Sequence, residues 1–146
     1  MTKEDLLQIL TNLIAYVDQA LATTQKYAMY STSFNTAAPM EAGLYFVWEN
    51  QDLVYVGESG NIKKRMANLK STPNHTLRRK IGQSLGYTLQ KNDMFLPLEE
   101  QHLNLYCSTH CEVAFVPIPV GRREIEENFI FRVSKPKYNQ DSTRGR

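Results

Sequence analysis

Residues 43–65 read Gly-Leu-Tyr-Phe-Val-Trp-Glu-Asn-Gln-Asp-Leu-Val-Tyr-Val-Gly-Glu-Ser-Gly-Asn-Ile-Lys-Lys-Arg, and they predict a β-hairpin followed by a helix. Two runs rich in aromatic and β-branched residues, 43–48 and 53–57, flank the polar turn 49–52. Residues of these types favour extended strands that pair across a short turn. Glycine and polar residues then end the second run, and a helical pattern begins at Ile62.

Alternation of side chains gives the predicted hairpin two faces. One face would carry the apolar residues Leu44, Phe46, Trp48, Val54 and Val56, and the other would carry Tyr45, Val47, Leu53, Tyr55 and Gly57. Tyr45 and Tyr55 share a face only if the turn or a bulge adds an odd number of residues, because a one-residue slip turns a strand over. Two phenols beside the guanidinium of Arg65 suit the handling of a phosphate better than a core.

These residues resemble the GIY-YIG nuclease family. Gly43-Leu44-Tyr45 is followed by Tyr55-Val56-Gly57 and then by Arg65, in the order and spacing of that family. Two downstream elements also match, Glu126 in Glu-x-x-Phe-Ile and Asn139 in Pro-Lys-Tyr-Asn. The resemblance spans roughly residues 42–140, which is most of the chain.

The resemblance implies an α+β domain with a small three-stranded antiparallel sheet flanked by helices, and a metal-dependent endonuclease acting on DNA. Arg65 would stabilise charge on the phosphoryl oxygens, and a metal held by Glu126 would support the leaving 3′-oxygen. One of the two tyrosines would deprotonate the attacking water, and the sequence leaves open which one. The implied catalytic residues are Tyr45, Tyr55, Arg65, Glu126 and Asn139.

The implied cofactor is one divalent ion per site. Two-metal sites need several carboxylates, whereas the matched motif offers one, Glu126. An oxygen ligand favours Mg²⁺, with Mn²⁺ as a substitute. The chain departs from some relatives at Glu58, where those members carry a lysine that could lower the pKa of a tyrosine.

A block of one charge follows the hairpin. No acidic residue occurs between Glu58 and Asp93, so all 15 acidic residues of the chain lie outside this block. Such a block is often only a solvated face, but its position directly after the hairpin favours contact with a polyanion. We expect DNA contacts from Lys63, Lys64, Lys70, His75, Arg78, Arg79 and Lys80. For His75 alone, its position at a helix start favours a capping or core-edge histidine, and a DNA contact or a proton relay are the alternatives.

Periodicity outlines the rest of the chain. Apolar residues recur every three or four positions from Leu6 to Leu21, which predicts a long amphipathic helix after a Thr2 cap. Residues 23–42 lack a period and predict a connection. Further helices are predicted at 61–70, 74–85, 98–106 and 122–134, and a third strand at 113–118, where Pro117 indicates an edge or a strand end.

We therefore expect three segments. Residues 1–41 would be an N-terminal helix and connection packed on the domain, 42–140 the nuclease-like domain, and 141–146 a disordered tail. The N-terminal helix would pack on the domain's own sheet or form a homodimer. No export signal and no membrane-spanning run is visible, so we expect a cytoplasmic protein.

Two other classes stay open. A nucleic-acid-binding protein without cleavage is disfavoured because every matched catalytic position keeps the family's residue type. A nuclease acting on structured RNA has the same charge pattern as one acting on DNA. A zinc site from His102, Cys107, His110 and Cys111 is rejected because adjacent His110 and Cys111 cannot easily converge on one ion.

Overall fold

The centre of this α+β molecule is a four-stranded antiparallel sheet. The computed structural model describes residues 1–133 and 135–140, so the predicted tail 141–146 lies outside the described residues. The strands, in the spatial order β1-β4-β2-β3, are β1 (Tyr27–Ala28), β2 (Gly43–Glu49), β3 (Asp52–Ser59) and β4 (Cys111–Pro117). The prediction of three strands is wrong, because the two residues of β1 pair with β4.

Helices surround the sheet. They are α1 (Lys3–Thr23), α2 (Thr32–Ala37), α3 (Ile62–Asn68), α4 (Thr76–Ser84), α5 (Pro97–His110) and α6 (Arg122–Asn128). Short 3₁₀ turns occur at Thr72–Asn74 and Lys137–Asn139, and a π-helical turn, Phe129–Val133, continues α6. β1 and α2 lie in the segment that we predicted to be a bare connection. None of the described helices has the length and hydropathy needed to span a bilayer.

A β-bulge in β3 decides which side chains share a face. Trp48 pairs with Leu53, but Val47 pairs with Tyr55, so Val54 is an extra residue in β3. A bulge of this kind supplies the odd residue that Tyr45 and Tyr55 need to share a face. It also exchanges the predicted faces of Leu53 and Val54, because Val54 now lies beside Tyr55.

The two faces of the sheet bury different clusters. One face, which we call the tyrosine face, carries a core formed with α2 to α5, including Phe34, Tyr45, Val47, Val54, Tyr55, Ile62, Met66, Leu77, Ile81 and Leu103. The opposite face packs under α1 and α6, with Val17, Leu44, Phe46, Val56, Val116, Ile118, Ile125 and Phe129. Each face of β2 is thus covered, as its almost continuous burial requires.

The long helix α1 begins at a reciprocal cap. The Thr2 hydroxyl accepts a hydrogen bond from the Asp5 N–H at 3.1 Å, and the Asp5 carboxylate accepts one from the Thr2 N–H at 2.9 Å. The second half of α1 packs on the sheet, where Val17 is fully buried. The first two turns are exposed.

Candidate functional site

The two tyrosines meet where β2 and β3 lie side by side. Tyr45 pairs with Gly57 across the ladder, and a Cβ atom at Gly57 would overlap the Tyr45 phenol. Glycine is therefore required at this position so that the phenol can cross β3. The Tyr45 and Tyr55 ring centroids lie 6.0 Å apart, and the side chains are 1% and 8% exposed.

His75 joins this pair from the turn before α4. Its Nε2 lies 2.8 Å from the Tyr45 hydroxyl, and its ring centroid is 5.9 Å from that of Tyr45 and 5.7 Å from that of Tyr55. We expected His75 to contact DNA, but the side chain is 1% exposed and caps α4. The Pro73-Asn74 pair before it was the sequence signal for a helix cap.

The tautomer of His75 follows from its two contacts. Nδ1 accepts a hydrogen bond from the Leu77 N–H at 3.0 Å, so Nδ1 carries no proton. Burial, followed by the charges of Arg65 and Arg79, holds the pKa of His75 well below its usual value. The neutral ring therefore carries its proton on Nε2 and donates it to the Tyr45 oxygen.

Arg65 lies in α3 at the border of this cluster. Asn61 caps α3 by accepting from the Lys64 N–H at 3.2 Å, and one Arg65 guanidinium nitrogen donates to the Asn74 carbonyl at 3.3 Å. Burial, followed by Tyr55, raises the pKa of Tyr45 well above its usual value, while the charge of Arg65 and its hydrogen bond oppose that rise. The structure thus brings together Tyr45, Tyr55, Arg65 and His75.

The buried neutral state of His75 predicts a pH effect on stability. An unfolded histidine titrates near pH 6.5, whereas His75 in the fold takes up its proton only at lower pH. Below pH 6.5 the unfolded chain therefore binds more protons, and stability falls by up to about 1.4 kcal/mol per pH unit. We expect His75→Asn, which keeps a capping oxygen, to remove most of this slope in urea unfolding between pH 7 and 5. His110→Asn is the matched substitution at an exposed histidine, and an equal loss of slope in both variants would contradict the assignment to His75.

Glu126 belongs to α6, which packs against the opposite face of the sheet through Ile125 and Phe129. It is 1% exposed, whereas its neighbours Glu124 and Glu127 are exposed. The helical angles predict this difference, since Glu126 lies within the apolar stripe of the helix. α6 contacts both β2 and β3.

Asn139 lies at the outer edge of β3. Its side-chain Nδ2 donates to the Val56 carbonyl at 3.1 Å, and its Oδ1 accepts from the Val56 N–H at 2.8 Å. Both polar groups of the amide are thus used to fix the strand between Tyr55 and Gly57. Asn139 therefore holds the backbone of β3 at the residue next to Tyr55.

Glu58, the residue that departs from some GIY-YIG members, is bound by arginines of α6. Arg122 Nε donates to Glu58 Oε2 at 2.9 Å, and an Arg123 nitrogen lies 3.9 Å from Oε1. These two arginines offset the negative charge of Glu58, which lies beside Gly57. They also tie α6, the helix of Glu126, to the end of β3.

The basic block contains exposed side chains and half-buried side chains that already form hydrogen bonds within the protein. Lys64 and Lys70 are exposed. Half-buried Lys63 donates to the Asn35 carbonyl at 2.8 Å, and half-buried Lys80 to the Tyr138 carbonyl at 2.7 Å. Half-buried Arg79 donates to the carbonyls of residues 72 and 73 at 3.0 and 2.9 Å. The surface available to a polyanion is therefore smaller than the sequence predicts.

Arg78 requires a correction. We expected it at the DNA surface, but it is 2% exposed and its guanidinium is surrounded by acceptors. It forms a salt bridge with Glu100 at 2.8 Å and donates to Thr72 Oγ1, the Tyr30 hydroxyl and Asn104 Oδ1 at 2.9, 3.1 and 2.8 Å. Arg78 joins α4 to α5 and to the turn before His75.

The cysteines and the other histidines lie elsewhere. Cys107 and Cys111 are buried free thiols. His102 contacts the Tyr87 hydroxyl, and His110 Nδ1 lies 2.9 Å from Asn50 Oδ1. Within residues 1–133 and 135–140, no group of three or more His, Cys, Asp or Glu side chains is placed to hold a metal ion. Glu126 therefore does not belong to such a group.

The chain is similar to a solved nuclease domain, although sequence comparison alone finds no relative. No family model and no curated protein matches the chain. Among solved structures, the magnesium-bound GIY-YIG N-terminal endonuclease domain of UvrC from Thermotoga maritima is similar at 18% identity and a TM-score of 0.42. The match covers 72% of this chain and 90% of that domain.

Proposed function

We propose that this protein is a metal-dependent endonuclease that hydrolyses DNA phosphodiester bonds at a single-metal site. The observation that carries the proposal is the cluster of Tyr45, Tyr55, Arg65 and His75 on the tyrosine face. Two hydroxyls, an imidazole and a guanidinium in one place can orient water and stabilise a phosphate. The match of Tyr45, Tyr55 and Arg65 to the GIY-YIG pattern supports the same chemistry.

The contacts of Tyr45 suggest that the two tyrosines have different roles. Because its pKa is raised well above the usual value, Tyr45 keeps its proton at neutral pH. Its oxygen already accepts from His75, so its own O–H is available to donate towards Tyr55 or a phosphate oxygen. Tyr55, the more exposed phenol, would then orient the attacking water and accept its proton.

Arg65 would stabilise the charge that develops on the phosphoryl oxygens. We expect Arg65→Ala to slow cleavage by about 10²–10³-fold, the usual cost of losing one fixed donor at a developing anion. DNA binding should be largely retained, because we assign the contacts with the DNA phosphates to exposed lysines. Single-turnover cleavage and fluorescence anisotropy with the same duplex separate the two effects. Arg65→Ala protein that no longer binds DNA would show that this role is misassigned.

Glu126 is the proposed protein ligand of the magnesium ion. Glu126 offers a buried carboxylate, and Mg²⁺ is commonly held by one or two carboxylates together with waters and substrate phosphates. When bound, such an ion would supply charge neutralisation at the leaving 3′-oxygen. Arg122 and Arg123 position the helix of Glu126 by holding Glu58.

Lys64 in α3 and Lys70 directly after this helix are exposed cations of the basic block, and they are the proposed DNA contacts. We expect Lys64→Ala with Lys70→Ala to weaken binding and to reduce the log–log salt slope by about 0.9 for each phosphate that the protein no longer neutralises. Anisotropy titrations over a range of salt concentrations, with EDTA present to prevent cleavage, measure this slope. Lys3→Ala provides a control at an exposed lysine of α1. An equal effect of Lys3→Ala would indicate that net charge alone drives binding.

Incubation with supercoiled plasmid tests the activity itself. We expect nicked or linear product with Mg²⁺ and with Mn²⁺, and none with EDTA. Binding without product under any metal condition would favour a nucleic-acid-binding protein without cleavage. Cleavage of structured RNA but not of plasmid would move the substrate class to RNA.

A further inference from the structure

The first two turns of α1 carry apolar side chains that the fold leaves exposed. Leu6, Leu7 and Ile9 are 56%, 54% and 44% exposed. Leu6 continues the stripe that farther along the helix contains Leu10 and the buried Val17. At 1.5 Å per residue, the exposed turns extend the apolar ridge by about 10 Å. A contiguous apolar surface of this kind marks an interaction site in a soluble protein.

A groove lies where this ridge meets α6. It encloses about 440 Å³ and is lined by Leu10, Glu124, Glu127, Asn128 and Phe131. Phe131 is 49% exposed, so an aromatic edge borders the groove and extends its apolar floor. None of these residues belongs to the tyrosine cluster or to the basic block.

The polar groups around the groove are hydrogen-bond acceptors. Glu124 and Glu127 are exposed carboxylates. Asn128 Oδ1 is buried and finds no hydrogen-bond donor among the described residues. Glu4 and Asp5 add negative charge at the start of α1. Of the nearby cations, Lys3 is exposed and Arg123 lies 3.9 Å from Glu58.

The apolar and acidic side chains together determine what kind of ligand the groove can bind. It must bring apolar side chains for Leu6, Leu10 and Phe131, and positively charged N–H donors for the two carboxylates. We propose that this groove, the α1–α6 groove, binds a basic amphipathic helix of another protein. In helix-in-groove recognition, the apolar face of an amphipathic helix packs into an apolar groove. A second copy of this chain fits less well, since its own α1 would bring Glu4 and Asp5 against Glu124 and Glu127.

A designed peptide tests the proposal without knowledge of the natural partner. The probe is a labelled amphipathic helix of about five turns, roughly 18 residues, made of Leu and Lys, and its matched counterpart carries Glu in place of Lys. With the full chain, we expect saturable binding of the Leu/Lys peptide by anisotropy. Glu124→Gln with Glu127→Gln should weaken it by at least about 10-fold, because both carboxylate charges beside the apolar floor are removed.

A charge-matched control distinguishes the groove from general electrostatics. Asp52→Asn with Asp93→Asn removes the same two charges from exposed positions outside the groove and should leave binding unchanged. Circular dichroism verifies that each variant is folded. The proposal is overturned by no binding, by equal weakening in both double variants, or by equal binding of the Leu/Glu peptide. Self-association by light scattering that Leu6→Glu abolishes would assign the groove to a second copy instead.

Discussion

Glu126→Gln should eliminate Mg²⁺-dependent cleavage. Gln keeps the size of the side chain but removes the negative charge, and a neutral amide is a poor ligand for Mg²⁺. Loss of metal assistance removes several kcal/mol of transition-state stabilisation, so we expect the rate to fall by at least about 10³-fold. Because Glu126 is buried and its amide counterpart has the same shape, the variant should remain folded. Single-turnover cleavage of plasmid over a range of Mg²⁺ concentrations measures the effect.

Glu127→Gln is the matched control for this substitution. Glu127 follows directly on the same helix but is exposed, so the chemical change is identical and only the placement differs. We expect its cleavage rate to remain within about twofold of wild type, since surface substitutions rarely disturb a fold. An inactive Glu127 variant beside an active Glu126 variant would reject the assignment. Circular dichroism of both proteins excludes unfolding as the cause.

The hairpin illustrates how far local sequence can predict this fold. Strand composition and the turn predict β2 and β3, and the periodicity of α6 predicts that Ile125, Glu126 and Phe129 are buried. In α1 the periodicity predicts the buried Val17, but Leu6 and Ile9 of the same stripe are exposed. The sequence also requires an odd number of inserted residues for Tyr45 and Tyr55 to share a face. It does not show that Val54 is that residue, because Leu53 and Val54 are both apolar and fit either face.

The count of charged residues predicts less about the candidate site, because the role of a basic side chain depends on the groups that the fold places around it. Lys64 and Arg78 are equivalent as members of an acid-free block, yet one is exposed and the other buried. The acceptors of Arg78 come from distant positions, including Tyr30 and Asn104, which no local pattern connects to it. β1 was missed for a similar reason, since two residues are too few to carry an alternation signal.

Arg78→Ala should therefore destabilise the protein rather than weaken DNA binding. Removal of the guanidinium leaves Glu100, whose side chain is 15% exposed, without its cation and breaks the bonds to Thr72, Tyr30 and Asn104. Loss of one partner of a buried ion pair costs about 3–5 kcal/mol. For a chain of this length we expect a fall in Tm of roughly 10 °C.

Arg79→Ala is the control, because this half-buried neighbour donates to two backbone carbonyls and one hydroxyl, and it should cost only about 1–2 kcal/mol. Urea unfolding of both variants, with DNA anisotropy in parallel, decides between the roles: a stable Arg78→Ala protein with weakened DNA binding would restore Arg78 to the DNA surface.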